Sequence, residues 1–273
     1  MHPVGARILG LLGFLLLLAP GLAARDRGAD GEFDQRRSAH FRLLQDVDLD
    51  WVTGRGGSRA FERAVLAELE QAYRDLARSL DIRPRHAIRV VIYDPGVFEQ
   101  IFGGRFRFSA VGFYEGASQL IHIRGGTRVD APLVRTLHHE YVHAALDAVT
   151  DPRRIPAWLN EGLAQLFEHR ALGKRGLGSA EYEWLRRASA NGAWLPLERL
   201  SGMSFASFDA DDARLAYRQA YGLVDYLVRR SGERRFRSFM RQLVRGGRLE
   251  RLFERELRIE LAELEASFRA ELR

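Results

Sequence analysis

Two histidines four residues apart, His139 and His143, sit in an apolar-periodic stretch that opens at Asp130-Ala131-Pro132. Asp130 suits a helix cap and Pro132 a first turn, so the stretch predicts a helix running through His143. Residues four apart on a helix project from one face, and both imidazoles can then reach one ion. A second helix is predicted from Pro156-Ala157, and it carries Glu161 after 17 intervening residues. That gap lets the first helix end, the chain turn at Asp151-Pro152, and a carboxylate come back beside the imidazoles. A chain that uses all three residues together must pack two consecutive helices side by side.

The chemistry explains the residue types. Zinc accepts imidazole nitrogen at about 2.0–2.1 Å, and a hydrolytic site keeps three protein ligands and one open position. His139, His143 and Glu161 supply such a set for one Zn2+ ion. Glu140, next to the first histidine, places its carboxylate beside the bound water rather than on the metal, where a general base is needed. A ligating imidazole passes its other N–H to an acceptor, and Gln165 or Glu168, on the same helix face as Glu161, can take it. Glu168 also reads as a solvated residue, and Asn160 reads equally as a helix-start residue or a site residue. His138 lies about 100° round the helix from His139 and should face elsewhere. His40, His86, His122 and His169 lack ligand spacing with one another and are expected to be structural or exposed, as is His138.

Around this pair of helices the pattern reads strands first and helices second, an α+β arrangement. Arg25 to Arg37 reads as a flexible charged lead-in. His40 to Leu44, Ile88 to Tyr93, Val111 to Tyr114 and Leu120 to Ile123 are predicted strands, the last two joined as a hairpin through Glu115-Gly116-Ala117-Ser118. Between the first two strands, Phe61, Val65, Leu69, Ala72, Leu76 and Leu80 recur at helical spacing. Later helices are predicted over Tyr182 to Ala188, Ala213 to Arg230 and Glu233 to Arg245. Residues 1–24 are expected to be a signal peptide or N-terminal anchor, 38–245 a catalytic domain, and 246–273 a C-terminal helical extension.

The N-terminus is of a different kind. His2 and Arg7 precede an apolar run from Ile8 to Ala19, and small residues follow through Ala24. This is the layout of a secretory signal, cleaved after Ala23 or Ala24; the run is short of the roughly 20 residues a spanning helix needs. The expectation is an exported, periplasmic or secreted protein. It has no cysteine, hence no disulfide framework. The charge of +6 does not indicate nucleic acid, because most Arg alternate with Glu along helical stretches and no aromatic stacking platform accompanies them. From Arg229 to Arg251, nine Arg face two Glu. This is either a basic outer face on two helices or a patch for peripheral contact with a membrane or anionic surface.

HEYVH followed by WLNEGLA resembles the gluzincin zinc peptidases, particularly the peptidase MA-like domain and, more distantly, the aminopeptidase-N-like enzymes. SAHFRLL, IRVVIYD, the hairpin VGFYEG…LIHIRGG and AYRQAYGLVDYLVRRSG resemble flanking parts of that family, covering about His40 to Leu243. The resemblance implies a small N-terminal mixed sheet followed by a mainly helical half that carries the zinc site. His139, His143 and Glu161 match the family's ligands and Glu140 its base. Tyr217, with Tyr221 as the alternative, matches a tyrosine that donates a hydrogen bond to the oxyanion. The resemblance also implies a peptide or protein substrate lying along Gly112-Phe113-Tyr114. GFYEG departs from the aminopeptidase motif whose glutamate holds a free amine, and Glu115 is not a clean match. This favours an endopeptidase; the alternative is a catalytically silent domain that binds a peptide or partner around a structural zinc.

Overall fold

The computed structural model describes residues 34–45, 57–104, 111–125 and 128–273. The apolar run from Ile8 to Ala19 and the expected cleavage site lie outside them. Five strands form one mixed sheet: β1 (Asp34–Arg37), β2 (Phe41–Gln45), β3 (Ile88–Tyr93), β4 (Gly112–Glu115) and β5 (Leu120–Arg124), in the order β1-β2-β3-β5-β4. The central pairs β2/β3 and β3/β5 are parallel, and the outer pairs β1/β2 and β4/β5 are antiparallel. Phe41 and Leu43, Val90 and Ile92, and Ile121 and Ile123 are buried in the core, which explains the β-branched character of β3 and β5.

Parallel strands need a crossover, and α1 (Gly57–Leu80) supplies it between β2 and β3. Its Val65, Leu69 and Leu76 are buried in the same core. The remaining helices are α2 (Pro95–Phe102), α3 (Ala131–Val149), α4 (Ala157–Ala171), α5 (Ser179–Ala190), α6 (Leu197–Leu200), α7 (Ala210–Ser231), α8 (Glu233–Val244), α9 (Leu249–Leu252) and α10 (Leu264–Glu271). α4 packs against both α3 and α7, and α3 in turn packs on α1, β4 and β5. The fold is therefore α+β, a small sheet followed by a mainly helical half. Among the described residues, no helix is long and apolar enough to cross a membrane.

The short helix α6 is absent from the sequence reading, and two further elements differ from it more instructively. The end of the supposed flexible lead-in is β1, paired with β2 from Asp34↔Gln45 to Arg37↔Arg42. Its DQRR sequence has no apolar alternation; main-chain pairing and an ion pair from Arg36 to the buried Glu62 of α1 hold it instead. Asp94-Pro95-Gly96 ends β3 as expected, but it also starts α2. Asp94 caps that helix by accepting from the Gly96 N–H at 2.7 Å, and Phe98 and Phe102 are buried.

In the C-terminal segment, Leu252, Phe253, Leu257, Leu264, Phe268 and Leu272 are buried in the core. Phe253 meets Trp158 of α4 and Phe239 of α8 edge-on. The buried side of α8 is Phe236, Phe239, Met240 and Leu243, while Arg234, Arg235, Arg245 and Arg248 are exposed. This is the arrangement of a basic outer helix face.

Candidate metal centre

α3 starts where the sequence places it. Asp130 accepts from the Leu133 N–H at 3.0 Å, with Pro132 in the first turn. Leu137, Tyr141, Ala144 and Ala145 bury one side of the helix, leaving His139 and His143 on a half-buried side that faces α4. α4 begins after Pro156 and buries Trp158, Leu159 and Leu163. It also runs close to α7. A Cβ on Gly162 would lie 2.3 Å from the Ala220 carbonyl oxygen and 2.6 Å from Val224, so only glycine permits this approach. The residue beside it, Glu161, thereby comes within the electrostatic reach of Tyr217 on α7.

The structure brings His139, His143 and Glu161 together, with one ligand atom from each lying within 4.8 Å of the others. Glu161 Oε2 is 3.5 Å from Nε2 of His139 and 3.5 Å from Nε2 of His143. Two ligands bound to zinc at about 2.0–2.1 Å with tetrahedral angles stand about 3.4 Å apart, so both spacings fit a shared ion. The same oxygen is buried and has no hydrogen-bond partner, and 3.5 Å is long for a charge-assisted hydrogen bond. An orphaned carboxylate oxygen equidistant from two imidazoles is what a cation would satisfy, and the donor set fits zinc.

Charge within the cluster is mutually sustained. Burial opposes protonation of His139, but Glu161 and Glu168 raise its pKa well above the usual imidazole value. Burial likewise opposes the charge on His143, and Glu161 outweighs it. Burial pushes Glu161 up, yet the two imidazoles hold it far below the usual carboxylate range. Binding of a cation to such a set requires both imidazoles neutral and the carboxylate ionised.

Each imidazole has a partner on its far side. His143 Nδ1 pairs with Asn160 Oδ1 at 2.9 Å, and His139 Nδ1 with Glu168 Oε2 at 2.9 Å. Donation from Nδ1 leaves each Nε2 lone pair aimed into the cluster. Asn160 therefore lies behind a cluster histidine, and Pro156 takes the helix-start position. Glu168 is 8% exposed rather than solvated, and it is gripped by Arg135, whose Nε donates to Oε1 at 2.8 Å. The sequence reading missed Arg135; its position four residues before His139 was the available signal. Gln165 does not serve an imidazole and instead donates to the Tyr217 carbonyl oxygen at 2.7 Å.

Glu140 stands off the cluster. Its Oε2 accepts the Tyr114 main-chain N–H of β4 at 2.8 Å, a contact the sequence reading also missed. Gly112 lets β4 lie this near α3, since a Cβ there would meet Thr136 Cγ2 at 2.8 Å. The two tyrosines of α7 separate clearly. Burial raises the Tyr217 pKa, and the charges of Glu161 and Glu140 add to it. Tyr221 packs edge-on against His169, and Asp225 and Glu181 lead the charges acting on it.

The other candidates lie elsewhere. Tyr114 reaches Asp147 of α3, while Glu115 accepts from Ser118 at 2.7 Å and sits 3.7 Å from His122, on the opposite face of the sheet from the cluster. His138 is buried against Glu68 of α1 at 2.9 Å. His40 pairs with Glu70, His122 stacks between Tyr93 and Phe113, and His86 is exposed.

No curated protein sequence matches the chain. Among solved structures it is similar to a crystal structure of a two-domain M1 zinc metallopeptidase mutant bound to L-arginine, at 15% identity and a TM-score of 0.47. That match covers 89% of this chain and 52% of the other, so the chain spans about half the length of that neighbour. The sequence profile of the Peptidase MA superfamily matches residues 70–273, a span that holds α3, α4 and the whole cluster. On that match the chain belongs to the Peptidase MA superfamily.

Proposed function

We propose that the protein is an exported zinc-dependent metallopeptidase that cleaves within peptide chains. His139, His143 and Glu161 hold one zinc ion, and the observation that carries this reading is the orphaned Glu161 oxygen midway between two imidazole nitrogens. Zinc in such a site lowers the pKa of water towards 7 and polarises a carbonyl. Glu140 takes the proton from the attacking water at its carboxylate and passes it to the leaving nitrogen. The Tyr114 N–H orients that carboxylate. The Tyr217 hydroxyl donates to the oxyanion that forms on the carbonyl oxygen. The substrate lies extended along β4, whose outer edge offers main-chain groups for pairing. Cleavage within chains is supported by Glu115, which turns away from the cluster and so is not positioned to hold a free amine. Export is supported by the N-terminal run from Ile8 to Ala19 and the small residues that follow it.

The test pairs metal analysis of the purified protein with cleavage of a degenerate peptide pool. The parent should hold one zinc and cleave internal bonds. Glu140→Gln should keep the zinc and lose activity by about 10²–10⁴-fold, the usual contribution of a positioned base. A Glu140→Gln protein as active as its parent, or a zinc-loaded parent without turnover, would reject the reading.

A further inference from the structure

His139 and His143 are supported unequally. His143 leans on a neutral amide, Asn160, whereas His139 leans on Glu168, a carboxylate shared with Arg135. Arg135 lies one turn before His139 on α3, and Glu168 lies two turns after Glu161 on α4. The pair therefore spans the same two helices as the metal cluster.

The carboxylate oxygens of Glu168 are divided between these partners. Oε1 accepts both Nε and Nη2 of Arg135, and Oε2 faces His139 Nδ1. A buried carboxylate facing a single imidazole N–H would carry an uncompensated charge, and the group could swing away from the ring. Arg135 removes both freedoms. Its side chain is 50% exposed, so its own desolvation is slight, while its Nε and Nη2 together hold Oε1.

Resting on the zinc reading above, we propose that Arg135 is a positioning residue for the metal. It anchors the Glu168 carboxylate against Nδ1 of His139 and so holds the ring in the tautomer whose Nε2 is free to bind the ion. A simple interhelical ion pair would strengthen the fold without any such link to metal affinity.

The two roles separate in a chelator competition for zinc, run on the full chain with parent, Arg135→Gln, Arg135→Lys, Glu168→Gln and the Arg135→Gln/Glu168→Gln double variant. Thermal unfolding of each metal-free protein runs alongside. Arg135→Gln should bind zinc about 10-fold more weakly, the low end of what partners behind a ligating histidine contribute. Arg135→Lys should fall between, since it keeps charge but not the paired Nε and Nη2 donors. The double variant should bind no more weakly than Glu168→Gln alone, because Arg135 acts only through that carboxylate. Zinc affinity of Arg135→Gln within about twofold of the parent overturns the proposal, as do losses that add in the double variant. An affinity loss that only tracks a drop in metal-free stability overturns it too. Should Arg135→Gln not fold, Arg135→Lys against Glu168→Gln carries the same comparison. A parent that takes up no zinc rejects the underlying metal reading, and this link with it.

Discussion

Tyr217 and Tyr221 are four residues apart and share one face of α7, yet only the first feels the charges of Glu161 and Glu140 as leading influences. A phenol that donates to an oxyanion stabilises charge present only in the transition state, so its removal should lower kcat and leave binding largely intact. Tyr217→Phe should reduce kcat by about 10²–10³-fold with KM and zinc content little changed, whereas Tyr221→Phe should stay near the parent. Steady-state kinetics on a cleaved peptide decide it; equal losses from both would remove Tyr217 from the mechanism. At this scale the sequence was informative where spacing along one helix settles the geometry, as for His139, Glu140 and His143. It was silent where the answer depends on how far one helix slides along another. That offset separates Tyr217 from Tyr221, and it also turns Gln165 to a carbonyl on α7 while Glu168 meets an imidazole on α3.

The contact between α4 and α7 rests on Gly162. Alanine has the better intrinsic helix propensity, by about 1 kcal/mol. Here its methyl group would meet the Ala220 carbonyl oxygen, and the helices would have to part. Gly162→Ala should therefore destabilise the protein by about 1–3 kcal/mol in urea unfolding, the range for overpacked cores. Unchanged or increased stability would show that the helices separate freely. The elements legible in the sequence were those with apolar periodicity, α1, α3, α4 and α7, and the β-branched strand β3. β1 and α2 were not. β1 has the composition of a tail and owes its order to β2 and Glu62. α2 is short, and its opening Asp94-Pro95-Gly96 reads equally well as a turn.

Across the molecule, the sheet is stitched to the helices by polar contacts as well as by the core. Glu70 of α1 accepts from Ser38 Oγ at 2.6 Å, the His40 N–H at 2.9 Å and His40 Nδ1 at 2.7 Å, fastening the β1–β2 turn. Burial raises the Glu70 pKa, but these donors outweigh it and leave it below the usual value. A carboxyl that is more acidic in the folded state stabilises the fold above its unfolded pKa of about 4.3, and that contribution is lost as pH falls through the folded value. Glu70→Gln should thus cost roughly 1–2 kcal/mol near pH 6, with the gap from the parent closing below about pH 4. Urea unfolding at the two pH values tests this, and a gap that does not change with pH contradicts it.

The Tyr114 N–H belongs to the sheet, and the carboxylate it holds belongs to a helix. On the proposed reading the ion's three ligands come from α3 and α4 alone, so metal retention is a property of the helical half, while turnover needs the outermost strand in register as well. Working loose that strand would leave a protein that still carries its zinc but has fallen idle, which makes the rim of the sheet a natural place from which such an enzyme could be throttled.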